Sequence, residues 1–171
     1  SMDGMPIAPH RARRPLRVER PERRTLSKLI AESCEPFDDL NEASLDALLD
    51  RAGDARVVLI GESSHGTSEF YRMRARITQE LILRKGFNIV AIEGDWPDAQ
   101  MVNRYVRGSG KPYLRTPAFS RFPTWMWRNH ETRRFVDWLA EINGGRSDEK
   151  EVSFHGLDLY LSLIHISKPT R

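Results

Sequence analysis

The chain has 171 residues, 39% of them hydrophobic, enough for one domain with a sizeable core. No apolar run approaches the roughly 20 residues of a membrane span, and the arginine-rich start lacks the apolar block of a signal peptide, so the expectation is a cytoplasmic protein with no membrane partner. The net charge of +3 is unevenly spread: residues 1–24 hold seven arginines against three carboxylates, whereas residues 25–167 hold 18 basic and 21 acidic side chains, which argues against a nucleic-acid-binding body.

Residues 1–24 read as a flexible Arg/Pro-rich tail. From Leu26 the pattern turns helical, with Leu26, Leu29, Ile30 and Cys34 on one stripe until Pro36 interrupts it. The single Cys34 has no disulfide partner and is expected to be a small buried hydrophobe. A second helix fits Asn41 to Ala52, capped by Asn41 and ended by Gly53, with Leu45, Leu48 and Leu49 facing inward; both helices are expected to pack on the sheet.

The run Val57-Val58-Leu59-Ile60 does not alternate with polar residues, so it predicts a strand covered on both faces, as in a parallel α/β sheet. Directly after it come Gly61, Glu62, Ser63, Ser64, His65 and Gly66, at the strand end where such sheets bind ligands. Residues 68–85 predict a helix closed by Gly86. Its apolar stripe of Phe70, Ile77 and Leu81 also contains Arg74, which needs a partner there and is expected to pair with Glu62 or Glu93. Arg72 and Arg76 fall on the opposite side and are expected to matter far less.

A second strand, Asn88 to Ile92, completes a βαβ unit, which makes the two strands parallel and ends both on one edge. Glu62, His65 and Glu93 then converge, and two neighbouring carboxylates require a raised pKa or a cation such as Arg74 or a metal. Asp95 follows on the same edge, and Pro97 begins a further helix to about Val106. The Gly108-Ser109-Gly110-Lys111 loop follows a helix rather than a strand and lacks phosphate-loop spacing. Phe119, Phe122, Trp125 and Trp127 crowd into nine residues, as core packing or as one wall of a pocket. A helix from Asn129 to Ile142, with Phe135, Trp138, Leu139 and Ile142 inward, carries His130 near its first turn, either at the site or on the surface. Glu151 to Phe154 predicts a third strand, parallel to the others.

Four blocks in order carry a resemblance: Ile60-Gly61-Glu62-Ser63-Ser64-His65-Gly66-Thr67-Ser68-Glu69-Phe70, Ala91-Ile92-Glu93-Gly94-Asp95-Trp96-Pro97-Asp98, Arg121-Phe122-Pro123-Thr124-Trp125-Met126-Trp127-Arg128-Asn129, and Phe154-His155-Gly156-Leu157-Asp158. On these residues the chain resembles the amino-terminal part of the erythromycin esterase-like family. The resemblance implies an α/β fold, a parallel β-sheet with flanking helices forming the first portion of such a domain over residues 25–160. It also implies water-dependent opening of a macrolide lactone or another ester, with a small-molecule substrate and no cofactor. His65 corresponds to the family's proposed general base, and Glu62, Arg74 and Glu93 to the polar residues around it. Trp125, Trp127, Phe122, His130 and Asp95 are assigned to substrate binding. Residues 161–171 do not look like the family's continuation, and the expectation is a truncated chain with a non-native tail.

Three alternatives stand beside a His65 base. A metal could sit among Glu62, His65 and Glu93, although Arg74 already supplies balancing charge. Ser63 could be a nucleophile, although His65 replaces the final glycine of a nucleophile elbow. The chain could also be a binding module or an inert fragment. Oligomeric state is left open by the sequence.

Overall fold

The structure is a computed structural model, and it describes residues 24–108 and 129–158. The chain divides into two units, the first ending at Pro36 and the second starting at Phe37. In the first unit, α1 (Leu26–Ser33) is capped by Thr25, whose hydroxyl accepts from the Lys28 N–H. It buries none of its residues, and Cys34 is exposed, so the buried-cysteine expectation is corrected.

The second unit contains α2 (Asp46–Ala52), α3 (Ser68–Lys85), β1 (Ile89–Asp95), α4 (Trp96–Val106), α5 (His130–Gly144) and β2 (Ser153–Asp158), with a single 3-10 turn at Asp148–Lys150. α2 starts four residues later than the capping argument implied, with Leu45 rather than Asn41 at its N-cap. Asn41 instead lies in a turn, where its N–H donates to Asp39 Oδ1 at 2.7 Å. Local Asx-turn geometry competes there with helix capping. α3 ends as its sequence demands, with Gly86 in the left-handed conformation at φ 75°. Pro97 lies in the first turn of α4, and Asn129 caps α5 by accepting the Thr132 N–H at 2.7 Å.

β1 and β2 pair in parallel, Ile89 with Ser153 and Val90 with Phe154, and the register shifts between Ile92 and Asp95. A Cβ on Gly156 would lie 2.5 Å from the Gly94 carbonyl oxygen, so only glycine allows this approach of the two backbones. α4 packs on both strands and α5 packs on α3 and α4. Two buried asparagines fasten these layers. Asn143 donates to the Val106 and Val152 carbonyls, both at 2.9 Å, and accepts the Val152 N–H at 2.8 Å; Asn103 accepts the Phe154 N–H at 2.9 Å.

α3 is buried on two sides, more than its single predicted stripe required. Tyr71 and Ile82 join the cluster of Ala99, Val102, Val136, Leu139 and Phe154, while Ile77 and Leu81 join Leu45 and Leu49. Arg72 and Arg76 also depart from expectation. Arg76 donates to the carbonyls of Leu40 and Ala43, and Arg72 makes an exposed hydrogen bond to Asn41 Oδ1 at 2.8 Å, so both contact the segment before α2.

The main correction concerns residues 57–60, which belong to no strand, so the sheet of the described residues has two strands rather than three. Val58 and Ile60 pack on the Leu45/Leu49/Ile77/Leu81 cluster, whereas Val57 and Leu59 are 74% and 91% exposed. Only one side of this segment is covered by described residues. The strand starting at residue 88 runs on to Asp95, and the one placed at 151–154 occupies 153–158, which puts Glu93 inside β1 rather than after it. Among the described residues no helix is long and apolar enough to cross a membrane.

Candidate active site

Beyond Ile60 the chain turns through residues 63–66 into α3, and this turn brings Glu62 and His65 together: His65 Nδ1 hydrogen-bonds Glu62 Oε1. A carboxylate acceptor at that position selects the tautomer with the proton on Nδ1. Arg74, less than two helical turns into α3, places Nη2 at 2.7 Å from the other carboxylate oxygen of Glu62. This contact is ionic without the alignment of a good hydrogen bond. The Glu62 side chain is 9% exposed and that of Arg74 21%, so the pair is largely withdrawn from water, while the His65 side chain is half exposed.

Tyr71 stands beside this cluster and is buried. The Arg74 guanidinium carbon lies 5.0 Å from the centre of its ring, within cation–π range. Burial first, and then the neighbouring Glu62 carboxylate, push the Tyr71 phenol up, while the Gly66 backbone acts in the opposite direction. From α5, Glu131 Oε1 accepts a hydrogen bond from the Ser68 hydroxyl at 2.6 Å. That hydrogen bond is the chief reason the Glu131 carboxyl lies below the usual carboxylate range.

Glu62, His65, Tyr71, Arg74, Glu93 and Glu131 all line one cleft of about 1300 Å³, whose remaining walls come from residues 53–61, 86–92, α3, α5 and β2. Glu93 lines the same cleft as Glu62 and His65, and the ion pair of Arg74 is with Glu62. Ser63 is exposed and does not line the cleft. Neither do His130, which is exposed, or Asp95, which is 2% exposed with both carboxylate oxygens lacking a hydrogen-bond partner among the described residues. Phe122, Trp125 and Trp127 lie outside the described residues. Among the described residues no group of three His, Cys, Asp or Glu side chains is placed to hold a metal ion. Glu62, His65 and Glu93 thus share a cleft without forming such a group.

Tyr71, Ser68 and Glu131 are site neighbours that sequence reasoning missed. Tyr71 precedes Arg74 by three positions and so shares its helical face, which was the available signal. Glu131 is the acidic residue in the first turn of an Asn-capped helix, but no sequence pattern tied it to Ser68, 63 residues away.

A sequence model of the family described as Erythromycin esterase matches residues 82–169. That stretch contains Glu93, Asp95, His130 and Glu131; Glu62, His65 and Arg74 precede it. A curated Escherichia coli protein, Erythromycin esterase type II, is 29% identical over 107 residues, covering 63% of this chain and 24% of that protein. Two solved structures are similar in fold. One, described as a succinoglycan biosynthesis protein, has a TM-score of 0.64 and 27% identity over 76% of this chain and 33% of its own. The other, a Bacillus cereus protein, has a TM-score of 0.63 and 27% identity over 78% of this chain and 32% of its own. The chain thus spans about a quarter of the curated relative and about a third of each solved one.

Proposed function

The chain belongs to the erythromycin esterase family, and on that premise we propose that its cleft serves the hydrolysis of an ester or macrolide lactone, with water as nucleophile and His65 as general base. The observation that carries this reading is the His65–Glu62–Arg74 relay at the mouth of α3. With Nδ1 protonated towards Glu62, Nε2 is the nitrogen with a lone pair, and it takes the proton from water as the oxygen attacks the acyl carbon. Glu62 then stabilises the imidazolium, and Arg74 holds Glu62 in place. Proton return from Nε2 to the departing alkoxide completes cleavage, so no covalent intermediate is required. Glu93 and Glu131 give the cleft further anionic character, and no cofactor is invoked.

Ser63 is a poorer nucleophile candidate because it does not line the cleft, whereas His65 does. The test is hydrolysis of a chromogenic ester and of a macrolide lactone by the chain. His65→Ala is expected to abolish turnover while leaving the thermal melt unchanged, and Ser63→Ala to leave turnover near that of the parent. Near-parental turnover in His65→Ala, or a trapped acyl-enzyme that vanishes in Ser63→Ala, overturns the His65-base reading.

A further inference from the structure

Tyr71 belongs to the cluster of Ile82, Val102, Val136, Leu139 and Phe154, where a phenylalanine would supply the same apolar area. Its phenol is buried with the ring, which leaves 6% of the residue exposed. Withdrawing a hydroxyl from water costs free energy that packing alone does not return, so the reason for it lies in the groups the side chain meets.

Two of those groups stand on either side of the candidate site. The Arg74 guanidinium lies over the face of the ring, its carbon 5.0 Å from the ring centre, while its Nη2 reaches Glu62 Oε2 at 2.7 Å. Tyr71 and Arg74 are three positions apart on α3 and so share one helical face. Arginine is long and rotamer-rich, and a flat ring against its guanidinium selects the rotamers that aim the fork at Glu62. The second group is the backbone of Gly66, directly after His65, which opposes the rise that burial and Glu62 impose on the phenol, so the hydroxyl lies against the turn that carries His65. Helical side chains lean towards the N-terminus of their helix, which brings the Tyr71 hydroxyl back to that turn. Tyr71 therefore spans the space between the turn bearing His65 and the guanidinium that holds Glu62.

We propose that Tyr71 is a positioning residue for the hydrolysis assigned to His65: its ring keeps Arg74 in register with Glu62, and its hydroxyl steadies the His65 turn. It takes part in no proton transfer, and its effect reaches the imidazole through Glu62. The proposal rests on the His65-base reading and extends it to a residue outside the relay. Misplacing reacting groups by about 1 Å costs on the order of 100-fold in rate, which sets the scale of the loss when the ring is removed.

Two measurements on the chain test this, one of them independent of catalysis. The first is kcat and KM for the chromogenic ester, below the melting temperature of every variant. Tyr71→Leu and Tyr71→Met keep an apolar side chain in the cluster but remove the ring, and both are expected to lower kcat about 100-fold with KM within about twofold. Tyr71→Phe keeps the ring against Arg74 and is expected to lose only about 3- to 10-fold, the worth of one hydrogen bond. Leu139→Ala is the control: Leu139 is buried in the same cluster without lining the cleft, so its truncation lowers the melting temperature and leaves kcat unchanged. The second measurement is the proton NMR signal of the Arg74 Nε–H group, identified by its loss in Arg74→Lys. The ring current of Tyr71 displaces this signal from those of the other arginines; the displacement survives Tyr71→Phe and Leu139→Ala and vanishes in Tyr71→Leu and Tyr71→Met. A signal that stays displaced without the ring overturns the proposal, as does a kcat within about twofold of the parent in Tyr71→Leu, or one that falls equally in Leu139→Ala. A loss in Tyr71→Phe as large as in Tyr71→Leu assigns the effect to the hydroxyl acting on substrate and overturns it too. Absence of turnover in the parent overturns the hydrolase reading, and with it the catalytic half of this one, while the Arg74 signal still decides whether Tyr71 sets the guanidinium.

Discussion

The Arg74 guanidinium is held between two partners, with Nη2 2.7 Å from Glu62 Oε2 and its carbon 5.0 Å from the centre of the Tyr71 ring. A cation on the inward face of a helix is stable only if its charge is met, and here one carboxylate and one aromatic face meet it. Arg74→Ala leaves the largely buried Glu62 without its counter-charge and is expected to destabilise the fold by roughly 2–4 kcal/mol in chemical denaturation. Glu62→Gln in the same background should recover part of that loss, because the uncompensated charge is then gone. A double mutant no more stable than Arg74→Ala alone shows that the pair contributes little.

Arg76 carries structural weight of its own. It donates to two backbone carbonyls, those of Leu40 and Ala43, so Arg76→Ala leaves two acceptors unpaired and is expected to cost roughly 1–3 kcal/mol. Arg72, which makes one exposed side-chain contact with Asn41, is expected to cost well under 1 kcal/mol on truncation. Thermal melts of the two variants side by side provide the check, and equal melting temperatures exclude the clamp.

Gly156→Ala is expected to destabilise by roughly 1–3 kcal/mol, since its new methyl would meet the backbone of Gly94 and Asp95 at 2.5–2.8 Å, where no flexible side chain can yield. The strands must part at that point. Gly144→Ala, at a glycine with open space around it, serves as the control and should leave the melt unchanged or slightly raised.

The Ser68–Glu131 hydrogen bond makes a pH-dependent contribution whose sign follows from the depressed Glu131 pKa. A carboxyl with a folded-state pKa below its unfolded value stabilises above the unfolded value, and that stabilisation fades as pH falls through the folded value. Ser68→Ala is therefore expected to lose about 1 kcal/mol at neutral pH, a difference that shrinks as the pH drops below the ordinary value of 4.5. Denaturation curves at pH 7 and pH 3 measure it, and a difference that grows towards acid reverses the assignment.

The sequence by itself determined the local elements and the nearest of the site contacts. Gly86 ends α3, Pro97 opens α4 and Asn129 caps α5, because left-handed backbone, a preset φ and a side-chain acceptor act within a few residues of the position they govern. That Arg74 would meet a carboxylate, Glu62 or Glu93, was legible for a similar reason, since helical periodicity turned the arginine inward; the structure shows the ion pair with Glu62. Only the tertiary structure decided which neighbours each element found. Val57 to Ile60 has the composition of a buried strand, yet strand formation requires a hydrogen-bonding partner from elsewhere in the chain, and none of the described residues supplies one. Likewise Glu131 became a neighbour of Ser68 because α5 packs on α3, and Arg76 became a backbone clamp because the segment before α2 folds over α3. Periodicity specifies the face a side chain occupies on its own element; what that face meets depends on contacts between residues 30 to 65 positions apart, which no local pattern encodes.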